Sequence, residues 1–383
     1  MTELLNRNLL NLDPKDPAPF LSLAKETEGC ILLTAGDPDF GISDAVKGDV
    51  TRSLNLGKTH YAEPAGDTRI RVAASDFEKR TKGLTYDADE VITTVGGTEA
   101  VFIALLGVLN PGDEVIIPVP AVSLYEKVAK MAGAVPVCID TTEDGYQLSK
   151  DKLAAAVTDK TKVVVLNSPN NPTGVIYSQE TLQGVHDVVA GKPVFVLCDD
   201  VYNRVVYDEV AGCPSFAALF PDLKAQTLVA QSLTNSDAMA AFRMGYLLGE
   251  KSVIEKLAVL HHAAVHSVVN FNQDPAIQAF HSDIMGMVWA YDSRRKFMCE
   301  KLDSLGLEYA APEGGFFVFP KIDQFGMDSE TFCKRLIQEA KVAVLPGALF
   351  GKDGYVRISY SAPMGALRAG MIRFEEFVNG LKG

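Results

Sequence analysis

The sequence predicts an α/β protein in which a mostly parallel sheet lies between helices, followed by a smaller α+β unit. Three observations point there. From residue 91 onward, short β-branched runs alternate with stretches long enough for crossover helices. Most of these runs are apolar on both faces, as strands of a sheet covered on both sides must be. Past about residue 275 the alternation gives way to one long polar helical pattern, two short strand patterns and a final helix.

Six runs supply the large sheet: 91–95, 114–118, 135–139, 163–166, 194–197 and 227–230. The third contains Pro136, which has no N–H to give a ladder, so that strand is expected at an edge. Segments 98–109 and 123–132 have the length and composition of crossover helices. Right-handed crossovers bring the loops after parallel strands to one side of the sheet, where a ligand site is to be sought. The smaller unit opens with a helix near 285–305, continues with strands near 315–320 and 355–360, and closes with a helix from about residue 363. The expected division is an N-terminal segment, 1–45, packing with the small domain, a large domain, 46–274, and a small C-terminal domain, 275–383.

Composition excludes some functions. A chain of 383 residues, 47% hydrophobic and 22% charged, can bury two packed cores. Its 36 basic and 49 acidic residues leave a net charge of −13 and no basic stripe, so nucleic acid is not an expected partner. No uninterrupted apolar run reaches the ~18 residues of a membrane span, and the first residues show no basic leader before an apolar core. The six cysteines, at 30, 138, 198, 213, 299 and 333, form no Cys-x-x-Cys pair and are read as reduced thiols. Together these features predict a cytoplasmic protein without membrane contact. No compact set of His, Cys, Asp and Glu has ligand spacing, so no metal is expected.

Four loops could carry chemistry. Gly96-Gly97-Thr98-Glu99-Ala100 follows a strand and opens a helix, whose free N–H groups and close-approach glycines suit an anion. Asn167-Ser168-Pro169-Asn170-Asn171-Pro172-Thr173-Gly174 follows a buried strand, and its composition also suits a rigid turn. Asp199-Asp200-Val201-Tyr202 places an acid and a phenol near a third strand end, and Ser232-Leu233-Thr234-Asn235 leads on to Arg243-Met244-Gly245-Tyr246. Gly36-Asp37-Pro38-Asp39-Phe40, Tyr61, Gly66, Pro312-Glu313-Gly314-Gly315-Phe316 and Val356-Arg357-Ile358-Ser359 complete the set. In this order the motifs resemble those of class I/II aminotransferases, which use pyridoxal 5′-phosphate (PLP) on fold type I. The resemblance runs over nearly the whole chain.

That resemblance implies a task for each matching residue. Asp199 would pair with the protonated pyridine nitrogen, while Tyr202 and Asn171 would hydrogen-bond the ring's phenolic oxygen. Gly97, Thr98, Ser232, Thr234 and Arg243 would hold the phosphate, with Tyr61 reaching in from the second subunit of a homodimer. Arg357 would grip the α-carboxylate of an amino acid or 2-oxo acid, a bidentate match that lysine cannot copy, beside Gly36 and Asn171.

The chain departs from the family pattern where the cofactor is held. Asn235 stands at the position of the lysine that links covalently to PLP. Its amide nitrogen shares its lone pair with the carbonyl, so it is neither a nucleophile toward an aldehyde nor a base near neutral pH. Ala121 and Val122 stand where an aromatic ring usually stacks on the pyridine, leaving Tyr125 as the candidate substitute. Asp237 and Ala241 replace a common aromatic and a common glycine. The expected function is an aminotransferase-family protein that binds PLP noncovalently and an amino acid through its α-carboxylate, with ordinary transamination impaired or altered. The alternative is a non-catalytic pseudoenzyme that uses the fold for binding or regulation; a third reading lets Tyr125 or His266 supply the base. His261 and His262 are read as packed or surface residues of a helix.

Overall fold

Strands with branched side chains on both faces need a core on each side, and the architecture supplies two. A computed structural model describes residues 5–10, 12, 16–207 and 212–382. A short strand, β1 (Ile31–Leu32), precedes the seven strands of the main sheet: β2 (Val91–Val95), β3 (Glu114–Val119), β4 (Val135–Asp140), β5 (Thr161–Asn167), β6 (Phe195–Asp199), β7 (Thr227–Ser232) and β8 (Met244–Leu248). Their order is β2-β8-β7-β6-β5-β3-β4. Successive side chains of a strand point to opposite faces. Val115, Ile117, Val163, Val165 and Leu197 accordingly pack in one buried cluster, which includes Ala100, Ile103 and Ala104 of the helix Gly96–Val108. Ile116, Val164, Val196 and Cys198 pack in the other, with Leu182, Val185 and Val188 of the helix Gln179–Val189.

The six sequence-predicted strands are all present, and β4 with Pro136 lies at the edge of the sheet. The seventh, β8, was not foreseen. It slots between β2 and β7 and runs antiparallel to both, whereas β3, β4, β5, β6 and β7 pair in parallel. In the sequence, Met244-Gly245-Tyr246-Leu247-Leu248 reads as the tail of the preceding motif, and no crossover helix separates it from β7 to announce a new strand.

Gly245 explains why β8 can lie so deep. In register it faces Thr94 of β2 and Ser232 of β7. A Cβ built there would stand 2.6 Å from the Gly96 carbonyl carbon, 2.7 Å from the Gln231 oxygen and 2.8 Å from the Gly97 nitrogen. All three are backbone atoms, so no side-chain rotation relieves the clash. Gly245→Ala is therefore expected to cost about 3 kcal/mol, the upper part of the overpacking range, read as a lower midpoint in denaturant unfolding. An unchanged midpoint would show that the Gly96–Gly97 backbone is free to move.

Beyond the main sheet lie β9 (Phe317–Val318), β10 (Val342–Ala343), β11 (Leu345–Pro346) and β12 (Val356–Ser359). A small antiparallel sheet has the order β11-β12-β9, and β1 pairs in parallel with β10, tying the N-terminal segment to the C-terminal part. The long helix spans Met285–Ser304 and the last one Met364–Lys382, as the sequence predicts. Both contribute to a third buried cluster, which holds Phe316, Phe317, Phe319, Phe332 and Phe374. Of the expected N-terminal segment, residues 1–4, 11 and 13–15 lie outside the described residues.

Candidate functional site

The carboxyl ends of β2, β5, β6 and β7 converge on a cavity of about 400 Å³. From the residues that the sequence singles out, Gly36, Gly97, Thr98, Asn171, Asp199, Tyr202, Ser232, Thr234, Asn235 and Arg243 all line it. Arg357 stands directly behind this wall, and Tyr61 lies elsewhere. Tyr125, the candidate ring-stacking substitute, lines the cavity too, as do Asn167, Val101, Leu124 and Val201, to which the sequence assigns no role there.

Asp199 ends β6 and is buried. The Tyr125 hydroxyl donates to its Oδ2 at 2.5 Å, while Oδ1 has no hydrogen-bond partner. Burial pushes the carboxyl up to about 6, opposed by the Tyr125 hydroxyl and the Val201 amide, which stabilise its charged form. A buried carboxylate oxygen left without a donor is costly, and a protonated ring nitrogen of a ligand would be a fitting partner. Tyr125, expected as a ring-stacking substitute, instead orients this acid. Its neighbour Asn167 fixes the frame, donating to the Asp199 carbonyl oxygen at 2.9 Å and accepting the Asn171 N–H at 2.8 Å.

An anion cradle is built at the start of the helix Gly96–Val108. The two glycines form its first turn rather than a separate loop, Gly96 with φ of +74°. A Cβ on Gly96 would meet Arg243 Nη2 at 2.6 Å, and one on Gly97 would meet Val201 Cγ1 at 2.7 Å, so both must be glycine for these groups to gather. Arg243 itself has φ of +52°, a left-handed conformation that a non-glycine residue holds only where its surroundings demand it. Its guanidinium donates to the carbonyl oxygens of Ala240, at 3.1 Å, and Val95, at 3.4 Å; among the described residues no carboxylate pairs with it. Ser232 Oγ accepts the Thr234 N–H at 3.0 Å, which folds the β7 end into a tight turn facing the same space. Cation, free helix N–H groups and hydroxyls in one place fit a phosphate.

Arg357, on β12, is the second buried cation. It donates to Asn171 Oδ1 at 3.1 Å and to the Thr34 carbonyl at 2.7 Å, and its Nε has no partner. Its guanidinium lies over the rings of Phe317 and Phe350 at 4.4 and 5.0 Å. Burial pulls its pKa down to about 10, and no carboxylate is paired with it among the described residues. Tyr202, pushed up to about 12 by burial, accepts from Asn171 Nδ2 at 3.3 Å. Its neighbour Asp200 is held up at about 7, again by burial.

Asn235 is buried at the cavity wall, donating to the Val201 carbonyl at 3.3 Å and lying within hydrogen-bond reach of the Tyr202 hydroxyl. No lysine lines the cavity among the described residues. Asp237, an unusual residue for the motif, has a structural partner. Arg204 donates to both of its carboxylate oxygens, at 2.8 and 2.7 Å, tying the Tyr202 segment to the Asn235 segment. Of Ala121 and Val122, only Val122 reaches the cavity; Ala121 is buried and donates its N–H to the Phe350 carbonyl at 3.0 Å.

Tyr61 is 82% exposed and packs against His266 with ring centroids 4.3 Å apart and the rings tilted by 57°, outside its own chain's cavity. His261 is a packed core residue whose Nδ1 lies 2.8 Å from Glu99 Oε1, and His262 is exposed. No group of His, Cys, Asp and Glu among the described residues could hold a metal ion, and no helix is long and apolar enough to cross a membrane.

Known proteins share both sequence and fold. The family described as aminotransferase class I and II matches residues 28–368. A probable N-acetyl-LL-diaminopimelate aminotransferase of Bacillus subtilis is 35% identical over 99% of this chain and 96% of its own length. An aspartate aminotransferase of Pyrococcus horikoshii is 33% identical over 94% and 93%. The structure of Thermus thermophilus aspartate aminotransferase with maleate superposes with a TM-score of 0.92 at 31% identity, covering 97% of this chain and 99% of that one.

Proposed function

Since the chain belongs to the aminotransferase class I and II family, we propose that it binds PLP without a covalent link and takes an amino acid or 2-oxo acid by its α-carboxylate. One observation carries the reading. Two arginines without a carboxylate partner among the described residues, Arg243 and Arg357, flank a buried acid, Asp199, one oxygen of which makes no hydrogen bond there. That charge pattern is the complement of a molecule with a phosphate, a protonated ring nitrogen and, on its bound partner, a carboxylate. Arg243, Gly97, Thr98, Ser232 and Thr234 would hold the phosphate, and Asp199 the ring nitrogen. Tyr202 and Asn171 would bind the phenolic oxygen. Bound PLP supplies an electron sink for the pair left at a substrate Cα.

Asn235 then occupies the place of the linking lysine, and ordinary transamination is slow or altered. A homodimer, with Tyr61 completing the partner's phosphate site, accounts for a tyrosine so exposed beside His266. The division at residues 45 and 274 is supported by the pairing of β1 with β10 and by the aromatic cluster that the C-terminal part builds with Phe20 and Leu33 of the N-terminal segment, although Tyr202, Val205 and Tyr207 also enter that cluster. A cytoplasmic location is supported by the cysteines, which form no disulfide among the described residues. A non-catalytic binding or regulatory role is the second reading, favoured by a cavity with no lysine in its wall and Val122 where a stacking ring is expected.

Titration with PLP, followed by absorbance, and mass spectrometry after borohydride reduction test the proposal. Saturable binding with no pyridoxyl label is expected, and Arg243→Gln should weaken it by about 10- to 100-fold, the worth of one charged hydrogen-bonding contact. A specific label on a lysine would overturn the noncovalent reading, and absence of binding would leave only the second one.

A further inference from the structure

We infer that the ligand side chain accepted by this site is uncharged and apolar, so that its substrates are monocarboxylic amino and 2-oxo acids rather than dicarboxylic ones. The inference rests on the proposed carboxylate site at Arg357 and specifies what lies beyond it. A second carboxylate entering a desolvated cavity needs a cation or several N–H donors of its own. Among the described residues the only cationic side chain lining the cavity is Arg243, already committed to the phosphate end.

The cations nearby are spoken for. Arg294 is held by both oxygens of Asp39, at 2.8 and 2.9 Å, and by the Ser361 carbonyl at 2.6 Å. Lys58, beside the exposed Tyr61 that a second copy would present, is paired with Asp274 at 2.5 Å. The segment next to Tyr61 that joins two helices, Ser267 to Gln273, contains no lysine or arginine. In place of a cation, Val101, Val122, Leu124 and Val201 give the cavity an apolar wall, and Phe317 and Phe350 cover the Arg357 guanidinium. Gly36, the cavity residue nearest Thr34, is followed by Asp37, an exposed acid that repels a further negative charge.

The test compares two isosteric probes, 4-methylpentanoate and succinate, titrated by calorimetry into the PLP-loaded chain. They differ by an isopropyl group against a carboxylate. The monocarboxylate is expected to bind roughly tenfold or more tightly than succinate, the unpaired charge being the difference, and to lose its binding in Arg357→Gln. Succinate binding as tightly or more tightly would overturn the inference while leaving the carboxylate site intact. If PLP binds but neither probe does, or if binding ignores Arg357→Gln, the α-carboxylate reading falls and this inference with it.

Discussion

Asn235→Lys is expected to raise amino-acid transamination by about 10²–10⁴-fold, the usual worth of a positioned general base, with covalent activation added to it. The position is suited to the change. Asn235 lines the cavity within hydrogen-bond reach of the Tyr202 hydroxyl, and its amide makes a long hydrogen bond to the Val201 carbonyl at 3.3 Å. A lysine side chain extends further into the same space, and its ammonium would lie near Asp199 and the Tyr202 oxygen, which favour a cation. The backbone need not move, because the Arg204–Asp237 pair fixes the two segments on either side. The assay is turnover of an amino acid with a 2-oxo acid in the presence of PLP, with borohydride labelling to locate the link. A label at the substituted position without a gain in rate would place the defect elsewhere, with Val122 the first residue to examine. No label would show that position 235 is not where the cofactor's aldehyde lies.

Asp199→Asn is expected to act with opposite sign on the free chain and on the cofactor complex. With PLP, the amide cannot supply the negative charge that holds a protonated ring nitrogen. Affinity should fall by about 2–4 kcal/mol, roughly 30- to 1,000-fold in Kd. Without PLP, the substitution removes a buried carboxylate. Burial raises that group from 3.8 to about 6. A carboxyl raised in the folded state contributes stability that is present below the unfolded value and is lost as pH rises through the folded one. The variant has no such loss. Above pH 6 the free variant should therefore be more stable than the parent by about 1–3 kcal/mol, and below pH 4 the two should converge. The Tyr125 hydroxyl keeps an acceptor in the asparagine oxygen, so the comparison isolates charge. Unfolding curves across pH and PLP titrations read the two arms. Unchanged PLP affinity would remove Asp199 from the ring-nitrogen role.

Particular residues show how far the site was legible beforehand. Ten of the residues that the motif resemblance singles out line one cavity, and most of them follow the carboxyl ends of β2, β5, β6 and β7, which the alternation of apolar runs locates. Tyr125 aims its hydroxyl at Asp199, and nothing in a tyrosine's spacing tells a stacking ring from a hydroxyl aimed at an acid. Asn167 was read as part of a turn, and its two-way bond between β6 and Asn171 emerges only once β5 and β6 pair. Asp237 departs from the family pattern in sequence, and its partner, Arg204, lies 33 residues away and meets it only in the folded chain. β8 went unseen because the period of a pattern reports which faces are buried, and a short run following a tight turn carries no crossover to mark it.

By itself the sequence determined the class of fold, six of the seven main strands, the edge place of Pro136 and the four loops that meet at the site. These follow from local causes: branched apolar runs, proline's missing N–H, and glycine where backbone must approach closely. Only the tertiary structure decided the partnerships. It aimed Tyr125 at Asp199 across 74 residues of chain, set β8 between β2 and β7, left Arg243 and Arg357 without carboxylate partners among the described residues, and turned Tyr61 outward. The reason is physical. Burial along a segment depends on its own side chains, whereas the charge a buried group meets depends on which distant segment packs against it.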